Sequence, residues 1–287
     1  METIAWVNGH IVDARTPILR FDDHGLVGDG AFEAVKVVDG TPFALTRHLE
    51  RLQISADAVG IEVDLEAIRD GIGAVLGAGS PLDPRCWLRV TVTGGSAPMG
   101  TGGVGATPTM IAAVAPMAPW GPTANVVVVP WTRNAGGAAA GRKTISYAEN
   151  VIALRHAHAL GADEGVFANT DQQLCEGTGS NVFVAIGGRL ITPPLASGCL
   201  AGVTRALLLE WLPGVVEDDL PIAALCAADE AFLTSTSRDV HPIATVDGTR
   251  LRSTPGPLTS EAQRIFAEGA AADLDPRAGA GRPHVPA

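Results

Sequence analysis

Apolar positions along the chain switch between a period of two and a period of three to four. IAWVNGHIVDA sets two short apolar runs on either side of Asn8-Gly9, a hairpin signal. GAFEAVKVVDGTPFAL repeats the device around Asp39-Gly40. TRHLERLQISADAVGI then moves to helical spacing, with Leu49, Leu52 and Ala56 on one face and Thr46 as the expected N-cap. A second helix is expected over about 65–77. CWLRVTVTGG returns to alternation, with Trp87, Arg89, Thr91 and Thr93 on one face and Leu88, Val90 and Val92 on the other.

GGSAPMGTGGVGATP follows, glycine-rich and expected to be a mobile loop. It does not read as a phosphate cradle, because no helix opens after it and it carries no lysine. MIAAVAPMAPWGPTANVVVVP gives a strand, a proline-punctuated link and a strand. That link, at about 116–124, is the expected boundary between an N-terminal domain over 1–118 and a C-terminal domain over 124–287. SYAENVIALRHAHAL reads as a helix stopped by Gly161, with Tyr147, Val151 and Leu154 sharing a face. GVFANTDQQLCEGTGSNVFVAIGGRLITPP reads as a three-strand meander with Thr-Asp and Gly-Gly turns. AGVTRALLLEWL is a helix entered from glycine, EAFLTSTSRDVHPIATVDG two short strands, and the tail from about residue 270 is expected to fray. Hairpins segregated from helices indicate an α+β fold rather than a doubly wound sheet.

Composition narrows the functional classes. A net charge of −11 without any basic run argues against a nucleic-acid groove. No apolar segment is long enough to span a bilayer, and METIAWVNGHIVDARTP lacks the cationic-then-apolar order of a signal peptide. Cys86, Cys175, Cys199 and Cys226 show no CxxC spacing and read as reduced thiols of a cytoplasmic protein. His156 and His158, two apart on a helix, point to different faces, so no metal site is expected.

Among the 20 basic residues only Lys36 and Lys143 are lysine. An amine can lose its proton and attack a carbonyl, which a guanidinium cannot. Lys143 stands in GRKTISYAEN, where a loop enters a helix; position alone favours a solvated surface lysine. Pyridoxal 5'-phosphate (PLP) would need an amine, an anion for its ring nitrogen, amide and hydroxyl donors for its phosphate, and a cation nearby. LCEGTGSNVF offers Glu176, AGVTRA offers the amides of Val203 and Thr204 at a helix N-terminus, LTSTSRD offers Ser235 and Thr236, and RHLERL offers Arg51. Each alone is ordinary.

In this order, KTISYAENVIA, CEGTGSNVF, ITPP with GCLAGVTR, and FLTSTSRDVHP resemble the class IV, fold-type IV aminotransferases, as do GDGAFEAVKVVDG and HLERL nearer the N-terminus. The resemblance spans the chain to about residue 250. It implies that Lys143 is the Schiff-base lysine, that Glu176 partners the pyridine nitrogen, and that Arg51, Val203, Thr204, Ser235 and Thr236 hold the phosphate. It further implies a two-domain subunit with the cofactor between its domains, and a homodimer whose sites borrow a loop from the partner. The implied reaction moves an amino group between an amino acid, or a related primary amine, and a 2-keto acid.

The subgroup is less sharply marked. Gly94 and Gly95 stand where D-amino-acid enzymes carry a carboxylate-clamping arginine. Tyr147 lies four residues after the lysine, where branched-chain enzymes place a tyrosine five after it. Ala34 replaces the glycine favoured by branched-chain enzymes and the threonine usual near there in 4-amino-4-deoxychorismate lyase. Phe32, Ala34 and Lys36 share a strand face and Glu33 points the other way. Lys36 is thus a substrate-carboxylate candidate with Phe32 beside it, or a surface lysine; Arg89 is a second candidate, or the partner of an acidic neighbour. Two alternatives accompany the transaminase: a lyase releasing 4-aminobenzoate and pyruvate, and a catalytically silent PLP-binding protein.

Overall fold

The computed structural model describes residues 2–16, 18–98, 100 and 107–279. Of the glycine-rich stretch expected to be mobile, residues 99 and 101–106 lie outside the described ones. The chain divides into two compact units. The first comprises Met1–Ala118, Arg142–Tyr147 and Leu274–Arg277; the second comprises Pro119–Gly141, Ala148–Asp273 and Ala278–Ala287. The Lys143 segment, placed with the second half on sequence, is grouped by its contacts with the first unit.

The first unit is built on β1 (Ile4–Val7), β2 (His10–Val12), β3 (Gly30–Val38), β4 (Thr41–Pro42), α1 (Leu45–Ala58), α2 (Leu65–Ala78), β5 (Arg85–Thr93) and β6 (Thr109–Pro116). Its sheet runs β2-β1-β6-β5-β3-β4. Both expected hairpins close through residues with positive φ, Asn8-Gly9 and Asp39-Gly40, as tight strand-to-strand turns require. Leu88, Val90 and Val92 of β5 are fully buried with Leu49, Leu52 and Ala56 of α1, so the two periodicities meet in one core.

The start of α1 differs from the sequence reading. Thr46 is not the N-cap; that position is Ala44, in a left-handed conformation and with no capping side chain. The cap arrives instead from the C-terminal tail, where Asp275 accepts from Thr46 N–H at 2.8 Å and from its hydroxyl at 2.7 Å. Arg47 donates to the carbonyls of Pro276 and Arg277, at 2.8 Å each. Residues 274–277 therefore do not fray; they satisfy donors that the first turn of α1 leaves over.

The second unit comprises β7 (Ala124–Arg133), α3 (Ala148–Ala159), β8 (Glu164–Asn169), β9 (Leu174–Gly177), β10 (Asn181–Ile186), β11 (Arg189–Thr192), α4 (Val203–Trp211), β12 (Val216–Glu217), α5 (Ala224–Ala227), β13 (Glu230–Ser235), β14 (Asp239–Val246), β15 (Thr249–Arg250) and α6 (Pro257–Ala272). Its sheet runs β12-β11-β10-β13-β14-β7-β8-β9, with β15 beside β14. The expected three-strand meander is four strands, because the turn at 178–180 ends β9, which pairs with β8, and starts β10, which pairs with β11 and β13. Phe183 and Phe232 face each other across β10 and β13, stacked at 4.8 Å, a pair worth about 0.5–1.5 kcal/mol beyond burial. Gly269 of α6 lets Trp211 of α4 approach to where a Cβ would sit. α3 buries Ala153 and Ala157 rather than the expected Tyr147, Val151 and Leu154 face; Tyr147 precedes the helix and Val151 is exposed.

Candidate active site

The local fold of the Lys143 segment follows from β3. Phe32 N–H donates to the Lys143 carbonyl and Ile145 N–H to the Gly30 carbonyl, both at 3.0 Å, and Ala31 pairs with Thr144 as an antiparallel bridge. Gly30 makes this possible, since a Cβ there would meet Val92 O at 2.5 Å and Ile145 Cδ1 at 2.7 Å. From α1, Ser55 Oγ accepts the Lys143 N–H at 3.0 Å. A strand and a helix thus fix the backbone that carries the amine.

The lysine side chain is half-buried against rings. Lys143 Nζ lies 4.3 Å from the Phe32 centroid and 5.7 Å from that of Tyr147, and the two rings meet edge-on at 5.1 Å. The Arg89 guanidinium lies 4.2 Å from the Phe32 centroid. Lys36 is buried at 5% exposure, with its ammonium 5.0 Å from the Phe43 ring, so the surface reading of this residue fails.

On the opposite face of β3, Glu33 is fully buried. Arg51 Nε and Nη2 donate to its two oxygens at 2.7 and 2.8 Å, and His48 Nδ1 lies 2.7 Å from Oε2. A carboxylate can only accept, so His48 carries its hydrogen on Nδ1. Burial pushes the Glu33 carboxyl up, but Arg51 and His48 together outweigh it and hold the group below the usual carboxylate range. Burial pushes His48 down, against the pull of Glu33, and the Arg51 and Lys143 charges work in the same direction as burial. Sequence reading singled out Arg51 but missed Glu33 and His48 as its partners; the only signal was a glutamate on the strand face opposite Phe32, Ala34 and Lys36.

In the second unit, Glu176 is the penultimate residue of β9 and is held from two sides. Its Oε2 accepts the Leu200 N–H at 2.9 Å, and Arg133 Nε stands 3.0 Å from Oε1. Arg133 lies over the Phe167 ring at 4.2 Å and donates to Asn150 Oδ1 at 3.2 Å, while Asn150 Nδ2 donates to the Thr178 carbonyl. Nothing in WTRN announced Arg133. Leu200 leads directly into α4. Asn181 Nδ2 donates to the Leu200 carbonyl, and Gly202 has no room for a side chain because Asn181 Oδ1 occupies the place of a Cβ. Gly202 is the N-cap of α4 and no side chain caps the helix, which leaves the amides of Val203 and Thr204 at a positive helix end. The structure therefore links Glu176 to the start of α4 through Leu200. Ser235 and Thr236 sit half-buried where β13 turns into β14.

Residues 30–246 match the family model for class IV amino-transferases. The chain belongs to that family. It is 30% identical over 258 residues, 85% of this chain and 88% of the relative, to a Methanocaldococcus jannaschii protein provisionally named a branched-chain-amino-acid aminotransferase. It is 29% identical over 276 residues, 91% of this chain and 92% of the relative, to the aminodeoxychorismate lyase of Bacillus subtilis. A hypothetical aminotransferase of Mycobacterium tuberculosis in its PLP-bound form superposes with a TM-score of 0.82 at 26% identity, over 93% of this chain and 98% of that one. The fold is thus the fold-type IV α+β arrangement that the motifs implied, and PLP is the cofactor of this class.

Each unit, taken by itself, carries groups of the kind that cofactor asks for. Its aldehyde asks for an amine, its ring nitrogen for an anion and its phosphate for clustered donors. The first unit has the half-buried Lys143 amine. The second, described by itself, has a Glu176 carboxylate held by a backbone amide and a guanidinium, and an uncapped helix end that shares its lead-in loop.

Proposed function

We propose that this class IV aminotransferase moves an amino group between an amino acid, or a related primary amine, and a 2-keto acid, with Lys143 as its catalytic residue. The observation that carries the reading is the placement of the Lys143 amine, 4.3 Å from Phe32 on a backbone fixed by both β3 and α1. PLP, when bound, supplies a carbonyl carbon that amines add to and a ring that accepts an electron pair. Lys143 Nζ then has two tasks: it holds the cofactor between turnovers, and it moves a proton from and to the substrate Cα. Glu176 is the anion for the ring nitrogen. Arg51 and the Val203 and Thr204 amides, with the Ser235 and Thr236 hydroxyls, are the phosphate donors.

For the substrate, Arg89 over the Phe32 ring is the proposed carboxylate partner, with Phe32 and Lys36 on the same side. The proposal includes a homodimer, supported by exposed apolar side chains close together in one segment: Phe21 is 78% exposed, Leu26 61% and Val27 60%. It places the enzyme in the cytoplasm, in keeping with four unpaired cysteines. Among the described residues no helix is long and apolar enough to cross a membrane.

The test is a panel of amino donors: D-alanine, L-leucine, an (R)-amine and aminodeoxychorismate, each followed for amino transfer to a keto acid. Transfer from at least one of the first three is expected. Release of pyruvate and 4-aminobenzoate without transfer would replace this reading by the lyase, and no reaction with any donor by a silent PLP-binding protein.

A further inference from the structure

A buried ion pair in the second unit takes no part in the roles assigned above. Glu164, on β8, and Arg238, at the β13–β14 turn, have side chains 3% and 5% exposed, and Arg238 Nη2 donates to Glu164 Oε2 at 2.7 Å. Two charges taken out of water at this depth cost free energy unless every remaining donor and acceptor is used. Here the further bonds of Glu164 go to a loop, and that of Arg238 goes to His241. Glu164 Oε1 accepts from the Gly179 N–H at 2.8 Å and from Ser180 Oγ at 2.7 Å. Gly177 stands so close to Glu164 and Ser180 that a Cβ would collide with both. The carboxylate therefore ties down the turn that directly follows Glu176.

Arg238 does the same for the other turn. Its guanidinium lies 3.8 Å from the Trp120 centroid, and Nη1 is 3.2 Å from His241 Nδ1. His241 Nε2 donates to the Gly121 carbonyl at 2.9 Å, so Nδ1 is left as the acceptor for Arg238. Trp120 Nε1 donates to Ser237 Oγ at 3.1 Å, and Arg238 N–H to Ser235 Oγ at 3.3 Å. The turn that presents Ser235 and Thr236 is thereby fixed at the same guanidinium that meets Glu164.

We infer that Glu164 and Arg238 are positioning residues for PLP. The pair locks the Gly177–Ser180 turn beside Glu176 and the Ser235–Arg238 turn to one another, so that the ring-nitrogen anion and the phosphate hydroxyls keep one spacing. This rests on the roles proposed above for Glu176, Ser235 and Thr236. Neither residue touches the cofactor; each acts through the loop it holds.

The test titrates PLP into the apo-protein by absorbance, for wild type, Arg238→Met, Glu164→Gln, the double variant and Arg238→Lys, with melting followed in parallel. Each single variant loses about tenfold or more in PLP affinity, the scale of a lost charge-assisted hydrogen bond. The double variant loses no more than either single, and Arg238→Lys falls between. Should either single variant fail to fold around its lone buried charge, the double variant, which buries none, must still show the weakened binding. Lower melting temperatures with wild-type PLP affinity and an unchanged visible spectrum would overturn the inference, leaving the pair merely structural. A wild type that takes up no PLP at all would overturn the functional reading and this inference with it, a result distinct from the previous one.

Discussion

Asp275 caps the helix that begins at Leu45, accepting hydrogen bonds from the backbone amide and the hydroxyl of Thr46 at 2.8 and 2.7 Å. The same helix carries His48, Arg51 and Ser55, which hold Glu33 and the Lys143 backbone. Asp275→Ala is expected to lower stability by about 0.5–2 kcal/mol, the range for a lost helix cap. Urea denaturation measures it; an unchanged midpoint would show that the tail contact contributes nothing.

A second prediction concerns Glu176. Glu176→Gln keeps an oxygen for the Leu200 amide but removes the charge. The fold should melt close to wild type while kcat falls by about 10²-fold or more, in the range seen when a preorganised electrostatic group is lost. Steady-state kinetics beside a melting curve separates the two; a wild-type kcat would remove Glu176 from the reaction.

Arg89 should divide KM from kcat. If it binds a substrate carboxylate, Arg89→Gln raises KM by about tenfold and leaves kcat within a few-fold. A fall in kcat at constant KM would point to disturbance of Phe32, against which Arg89 packs.

Acid stability follows from buried titrating groups. The folded state holds Glu33 below its ordinary 4.5, so its contribution is complete above that value and is lost as pH falls further. His48 and His241 are both depressed from 6.5, chiefly by burial and in part by Arg51 or Arg238, so the folded state binds fewer protons there. Stability should therefore be level at neutral pH, decline below about 6.5 and decline more steeply below about 4.5. His48→Asn and His241→Asn, which keep a donor or an acceptor without the titration, should each flatten the upper part. Urea midpoints against pH check this.

Local pattern was readable from sequence wherever a periodicity or turn residue acts within a few positions. The hairpins at Asn8-Gly9 and Asp39-Gly40 and the buried face Leu49, Leu52, Ala56 are of this kind. Lys143 stood out by scarcity, and ordered motifs gave the family. What stayed hidden depends on partners distant in sequence. The α1 cap comes from Asp275, so Thr46 was misread as capping itself. Arg133 beside Glu176, and Arg238 beside Glu164, carry no local signature, because an arginine in a strand or turn reads the same whether solvated or paired. Ala153 and Ala157 turn inward on α3 in place of larger neighbours, which small residues at a close helix–sheet contact permit but do not announce.

The central claim is that Lys143 is the amine that bears PLP, and the chain offers an unusually clean way to ask, since Lys36 is its one other lysine. Borohydride reduction of the PLP-loaded protein, followed by tryptic peptide mass mapping, fixes the cofactor to the residue that holds it. The predicted result is a pyridoxyl mass on the segment Lys143–Arg155, absent in Lys143→Ala. A label on Lys36, or PLP bound with no lysine labelled, would contradict the account.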